Sequence, residues 1–572
     1  MFKKSPKNCF KPVLPSSSSH KVLAEHEVVT ATASATPTIG SASSDQHNKS
    51  NNGPILSYFN YFLLPQVDLI THQNQDYMPI DIQVSTNNTT NQVYVSSSIY
   101  AHLCDIKHQI EKYQDTWDNI KKFTNPYEYI HSNITGNKTN ISKLRPLSRS
   151  FYKMIEIVKN NNILSRYQHT IVNKPEYKMG IKTFHLAEGP GGFIEAISYL
   201  RGLEYHGNGS DYSSVLDATP RCENDGNAPA AAAFAASSSS SIQILKRNTE
   251  FHDEYMKEQE YLKLTRRIFE NQKLESGGGT PSAKNVYGND RYYGMTLVND
   301  DPICPGWKKT RAFLESHPNV IIENGADKTG NLISLENFLY CAEKYKNKMD
   351  IVTADGGFDF SVDFNHQETM ATKLILCEVF YALALQKQGG SFILKIFDVF
   401  HKATVDILYI LSYYYDHVSI MKPYTSRIAN SEKYVICQGF KISDSTQIIQ
   451  QFATIFDSIQ KSSSGDVLSS LLPFEHDLYF LNKIEDMNAM VSFQQIENIT
   501  STLSIITNHR NSEKLEQYKR ANVNKCIAWC EKYEIPHNAH HACFQSTNIF
   551  LHKSIPMVVG GGGGGGGSGV GM

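Results

Sequence analysis

Five stretches of this sequence hold residues whose types and spacing could do chemistry. The most distinctive is Leu186-Ala187-Glu188-Gly189-Pro190-Gly191-Gly192-Phe193, an apolar strand that runs into a glycine turn and then a helical pattern. Glycines there let the backbone approach a ligand closely, at the carboxyl end of a strand where doubly wound sheets bind nucleotides, although the same residues also make a plain tight turn. A dinucleotide fingerprint would need a third glycine where Ile194 stands, which disfavours a nicotinamide cofactor. Asp355, in VTADGGFD, ends an apolar run, where a carboxylate either faces the same crevice or caps a turn before two glycines. Lys395, in SFILKIF, is flanked on both sides by apolar strand residues. Burial disfavours an ammonium unless a carboxylate pairs with it, so such a lysine points to a functional site. Taken singly, Lys153 in SRSFYKM and Glu432 before YVICQGF look like ordinary surface charges.

The elements that must position these residues are a series of apolar runs with strand character, at 183–187, 294–298, 319–324, 350–354, 391–397, 417–423 and 433–440. Helical patterns lie between several of them, notably at 368–386 and 403–415, and a short helix is expected from Arg149. Strands alternating with helices predict a parallel, doubly wound α/β sheet, because parallel neighbours need crossover connections. A further helix is expected over 99–123, and residues 465–557 read as helical throughout.

The chain has 572 residues, 40% of them hydrophobic and 11% aromatic, which excludes a wholly disordered or collagen-like protein. Residues 1–53 are expected to be a disordered leader rich in Ser, Thr, Ala, Asn and Pro, followed by an N-terminal accessory region at 54–145. A catalytic domain is expected at 146–445, with a low-complexity and then helical insertion at 203–288. A helical C-terminal extension at 446–558 and a glycine-rich tail at 559–572 complete the expected plan. No apolar run approaches the roughly 18 residues that span a bilayer, and ten scattered cysteines fit reduced thiols inside a cell. Cys526 and Cys530, followed by His537, His540, His541 and Cys543, match no common zinc spacing; core cysteines are the expectation, and no metal.

The net charge of −2 hides a local imbalance: between Ile141 and Phe184 nine Lys or Arg stand against Glu156 and Glu176. Such a stretch is either a solvated face or a footprint for a polyanion.

In chain order, Lys153, the glycine turn, Asp355, Lys395 and Glu432 resemble the Lys-Asp-Lys-Glu constellation of the FtsJ-like ribose 2′-O-methyltransferases. The flanking SRSFYKM, LAEGPGGF, TADGGFD, FILKIFD and KPYTSRIANSEKYVICQGF, with YYGMTL, PGWKK and GADKTGN, are most similar to the branch of cap-specific messenger-RNA enzymes and their large-DNA-virus relatives. The resemblance implies a Rossmann-like, mostly parallel seven-stranded sheet with helices on both faces and helical extensions. It also implies an S-adenosylmethionine-dependent RNA ribose 2′-O-methyltransferase acting on the first transcribed nucleotides of capped messenger RNA. Lys153, Asp355, Lys395 and Glu432 would be catalytic. Glu188, Gly189, Pro190, Gly191, Gly192, Phe193, Asp300, Asp327, Asn331 and Asp355 would bind the cofactor, with Asp301 as an alternative to Asp300. His185 stands where many related enzymes carry an acid, and Asn331 replaces the adenine-side acid of the family pattern. The implied partner is RNA, with neither membrane nor DNA, and the implied location is intracellular, the nucleus before the cytoplasm. A ribosomal-RNA methyltransferase and a catalytically inactive RNA-binding or scaffold protein are the alternatives. Tyr127, Tyr129 and Trp307 are candidate aromatics for stacking on RNA bases.

Overall fold

The computed structural model describes residues 61–67, 77–85, 92–137, 139–167, 180–205, 289–298, 306–357, 365–463, 465–508 and 512–538. The expected insertion from residue 206 onward, the leader and tail, Asp300 and Asp301, and the cluster from His540 to Cys543 lie outside them, while residues 203–205, expected in the insertion, end a helix. In chain order the strands are β1 (Tyr61–Leu63), β2 (Gln83–Ser85), β3 (Lys182–Leu186), β4 (Arg291–Met295), β5 (Val320–Ile322), β6 (Met349–Ala354), β7 (Gln386–Ile396), β8 (Tyr415–Met421), β9 (Lys433–Phe440) and β10 (Val467–Ser470). The helices are α1 (Ser97–Glu111), α2 (Gln114–Thr124), α3 (Ser150–Asn160), α4 (Gly192–Tyr205), α5 (Arg311–Ser316), α6 (Leu335–Tyr345), α7 (Gln367–Leu385), α8 (Lys402–Tyr414), α9 (Thr446–Lys461), α10 (Leu478–Thr507) and α11 (Ser512–Lys532).

The main sheet has the order β1-β8-β9-β7-β6-β3-β4-β5. Strands β3 to β7 are mutually parallel, while β9 runs antiparallel between β7 and β8. From β3 the chain moves outward through β4 to β5, then crosses to β6 on the other side of β3. The switch point therefore lies between β3 and β6, and ligands bind such sheets outside the carboxyl ends of the strands at that point. Register sets Leu186 opposite Ala354, so the glycine turn and Asp355 leave the sheet side by side, and the Asp355 amide donates to the Leu186 carbonyl at 3.2 Å.

The parallel strands are buried on both faces, which is why they read as nearly continuous apolar runs; all six residues of β6 are buried. Helix α7 is apolar almost all round and accordingly has 15 buried residues, from Glu368 to Leu385.

The structure corrects the sequence reading in several places. The sheet has eight strands rather than seven, because the three residues of β1 pair antiparallel with β8. Three residues are too few for a period to register. The single helix expected over 99–123 is two, separated at Lys112 and Tyr113. The segment read as helical from 465 begins with β10, which pairs with β2 in a small antiparallel sheet.

Both flanks share cores with the sheet. Tyr129 and Ile130 from the N-terminal side and Trp529 and Cys530 from α11 belong to one buried cluster with Ile351 and Ile393. Helix α9 lays Phe452 on Phe380 of α7, ring centroids 3.8 Å apart and nearly parallel. Phe452→Ala should therefore cost about 3–5 kcal/mol of stability, seen as a lower urea midpoint at unchanged m-value. A loss below about 1 kcal/mol would mean that α9 is a peripheral ornament.

Candidate active site

The glycine turn begins with Ala187 at φ 52° and passes through Gly191 at φ 106°, a conformation that a β-carbon opposes. Glu188 is 2% exposed. One of its carboxylate oxygens accepts the Phe193 amide at 2.5 Å, capping α4, and the other, Oε2, has no hydrogen-bond partner among the described residues. Burial and the nearby Asp355 push its pKa well above the usual carboxylate range, against the pull of Lys395 and Lys153. A β-carbon on Gly192 would stand 2.2 Å from the hydroxyls of Ser148 and Ser150, so α3 approaches the turn closely and brings Lys153 with it.

Four predicted charges meet beyond the turn. Lys395 Nζ, on β7, donates to the Asp355 carbonyl at 2.6 Å and lies 3.3 Å from Asp355 Oδ1. Lys153 Nζ lies 2.6 Å from Glu432 Oε1. Tyr434 joins the two pairs: its hydroxyl lies 3.1 Å from Asp355 Oδ1 and 3.4 Å from Glu432 Oε1 and has one proton to donate between them, and Lys153 sits over its ring. Ser426 adds a hydrogen bond to Glu432 at 3.0 Å. Sequence reasoning missed Tyr434 and Ser426. Tyr434 was within reach, since it is two residues from Glu432 and faces Lys395 across the β7–β9 register.

Burial works to lower the Lys395 pKa, but Asp355, Glu432 and Glu378 outweigh it and raise the value above that of an ordinary lysine. Burial works to raise the Glu432 pKa, yet Lys153, Lys395 and Lys422 hold its carboxyl far below the usual range. Resting charges therefore alternate around a half-closed centre, each side chain keeping 12–17% of its surface exposed.

Asp327 and Asn331 form a second group. Asp327 Oδ1 accepts from the Thr329 amide and hydroxyl and from Asn337 Nδ2, and Asn331 Oδ1 accepts from the Ile333 amide, so both shape their own loop. The Thr329 carbonyl takes the Val298 amide at 2.7 Å, which fixes that loop beside the end of β4. His185 is fully buried, between Thr183 and Thr353 within the sheet, and burial holds its pKa down at about 3.

Residues 242–440 match the family model described as FtsJ-like methyltransferase. The chain carries an FtsJ-like methyltransferase domain. A cap-specific mRNA (nucleoside-2′-O-)-methyltransferase 1 from Trypanosoma brucei brucei is 33% identical over 31% of this chain and 49% of its own length. A relative from Caenorhabditis briggsae, named an inactive cap-specific mRNA (nucleoside-2′-O-)-methyltransferase 1B, is 27% identical over 40% of this chain and 28% of its own. A ribosomal RNA methyltransferase of known structure from Plasmodium falciparum aligns with 51% of this chain and 97% of its own at 16% identity and a TM-score of 0.26. This chain thus spans at most about half the length of these two cap-specific relatives. The methyltransferase match begins within the expected insertion, so Lys153 and the glycine turn precede it and are tied to it by the fold.

Four of the nine cations of the basic stretch have partners within the chain. Arg149 donates to the Thr425 carbonyl at 2.6 Å, Lys159 pairs with Glu534, Lys153 with Glu432, and Arg145 donates to the carbonyls of Ser142 and Leu144. The aromatic candidates separate as well. Tyr129 is fully buried in the core. Trp307 fills the space above Gly294 and beside Gly191. Tyr127 faces Tyr424, ring centroids 5.3 Å apart, in a small cleft also lined by Lys422, Pro423, Ser426 and Gln494. Cys526 and Cys530 are buried core residues, and among the described residues no group of three or more His, Cys, Asp and Glu could hold a metal. No described helix is long and apolar enough to cross a membrane.

Proposed function

We propose that this chain transfers a methyl group from S-adenosylmethionine to a ribose 2′-hydroxyl of RNA, on the first transcribed nucleotides of capped messenger RNA. The observation that carries this reading is the meeting of the Lys395–Asp355 and Lys153–Glu432 pairs at the carboxyl ends of the strands, one strand away from the glycine turn. The cofactor fits the residues present. Gly191 leaves a cradle that a side chain would fill, Glu188 offers a buried oxygen without a partner, and the loop of Asp327 and Asn331 flanks the end of β4. Bound there, S-adenosylmethionine would supply an electrophilic methyl on a sulfonium.

The rest falls to the chain's own residues. A ribose hydroxyl is a weak nucleophile at neutral pH and must give up its proton as it attacks in line. Lys395 Nζ is placed to take that proton in its neutral form. Asp355, itself held by the Tyr434 hydroxyl, holds the amine in place, while Glu432 aims Lys153 into the same space. Tyr127 and Tyr424, packed against each other beside Ser426, which is one hydrogen bond from Glu432, offer aromatic surface to an RNA base.

The test is mass spectrometry of short RNAs incubated with the purified chain and labelled cofactor. A 5′-capped RNA should be methylated far faster than the same RNA with a 5′-triphosphate, and added salt should slow both through the phosphate contacts. Equal rates, or methylation confined to structured ribosomal fragments, would move the protein to the ribosomal-RNA class with the same four side chains in their roles.

A further inference from the structure

We propose that Glu156 is a positioning residue of the methyl-transfer site, through which Trp529 of the C-terminal helix α11 fixes the loop 422–428 that faces the RNA. The proposal rests on the functional reading above and adds a residue that takes no part in the chemistry itself.

Glu156 lies on α3 three residues after Lys153, fully buried, and has no ion-pair partner among the described residues. Its carboxylate instead collects four donors. Oε1 accepts the Tyr424 amide at 2.7 Å. Oε2 accepts the Thr425 amide and hydroxyl, each at 3.3 Å, and the Trp529 indole N–H at 3.2 Å. One side chain thus joins the helix that carries Lys153, the loop that carries Tyr424 and Ser426, and a helix beyond the family match. They converge where the loop must hold Ser426 against Glu432 and Tyr424 against Tyr127. Arg149 and Arg427 brace the same loop from its other side, through the Thr425 carbonyl and Glu128.

Four donors need both oxygens as acceptors, and a protonated carboxyl loses acceptor capacity at one of them. Protonation must then release either the Tyr424 amide or part of the Thr425 and Trp529 set. Burial raises the Glu156 pKa to about 7 against the pull of those donors, so release falls within the working range. The titratable groups facing it are the phenols of Tyr424 and Tyr533, both raised, and neither titrates near neutrality. Lys422, in the same cleft, is lowered to about 7 by burial and Lys433. Its effect has the opposite sign: on acidification it gains a positive charge and should tighten RNA, whereas protonating Glu156 should loosen it.

The experiment uses the full chain and a short, fluorescently labelled capped RNA. Dissociation constant and KM for RNA are measured from pH 6 to 9, with cofactor affinity and thermal midpoint as controls. For wild type, RNA binding should weaken on going from pH 8 to pH 6. Glu156→Gln, a neutral isostere, should raise the RNA KM roughly tenfold at pH 8 and lose the weakening on acidification, with cofactor affinity unchanged. Trp529→Phe keeps an aromatic ring, though a smaller one, and removes one donor, so the inflection should move to higher pH. RNA constants of Glu156→Gln within twofold of wild type at pH 8 would overturn the proposal, as would an equal loss of cofactor affinity. So would a pH dependence of RNA binding in Glu156→Gln that matches that of wild type. Wild type that neither binds nor methylates RNA would instead sink the functional reading and the proposal with it.

Discussion

Lys395→Ala is expected to abolish methyl transfer while leaving cofactor binding intact. General-base assistance is worth roughly 10²–10⁴-fold, and no other described amine touches Asp355, so the loss should lie at the upper end of that range. The glycine turn that would hold the cofactor is built by β3 and α4, and Lys395 makes none of its hydrogen bonds. Calorimetric affinity for S-adenosylmethionine should therefore stay within a few-fold of wild type, while single-turnover methylation of capped RNA falls below detection. Activity within a few-fold of wild type would remove Lys395 from the mechanism. Wild type carries a linked pH signature. The carboxylates of Asp355, Glu432 and Glu378 raise the Lys395 pKa despite burial, so the neutral amine is scarce at pH 7 and grows about tenfold per unit. The rate of the chemical step should rise across pH 6–9 and level off only where another step takes over.

The four charges were legible as a set and not one by one. Lys395 betrays itself by its apolar neighbours, but Lys153 and Glu432 gain meaning only from a pairing made across nearly 280 positions of sequence. The sheet was legible for the same reason that it is stable: strands buried on both faces read as apolar runs, and helix α7 as a long apolar helix. What stayed hidden depends on partners distant in the chain. Three-residue β1 exists because β8 offers an open edge. The basic stretch from 141 onward looked like a displayed face, yet Arg149 and Lys153 are turned inward by Thr425 and Glu432, which lie more than 270 residues away. Glu156 appeared there only as one of two acids diluting the charge, and nothing local could show four donors converging on it. Alternating charge about Tyr434 is likewise a product of register, with Lys395 and Tyr434 opposite each other on antiparallel strands.

Gly191→Val should weaken cofactor binding by roughly a hundredfold without unfolding the protein. The backbone at this position has φ 106°, where a β-branched residue is strained by about 1–3 kcal/mol. A β-carbon there would already touch Thr310 and Trp307 at 3.5 Å and Leu147 at 3.6 Å. The γ-carbons of valine would have to push into these neighbours or into the space left for the ligand. Strain and lost approach add up to a factor of about 10² or more in affinity. Gly202→Ala is the control, because this glycine lies in helix α4 and a β-carbon added to it would meet nothing within 4 Å. Alanine at position 202 should stabilise the helix by about 0.5–1 kcal/mol and leave cofactor affinity unchanged. The same pair of glycines, twelve residues from end to end, thus separates a position where the backbone must meet a ligand from one where glycine is merely permitted. Calorimetry with unchanged affinity in Gly191→Val would move the cofactor away from this turn and leave the partnerless oxygen of Glu188 without an explanation.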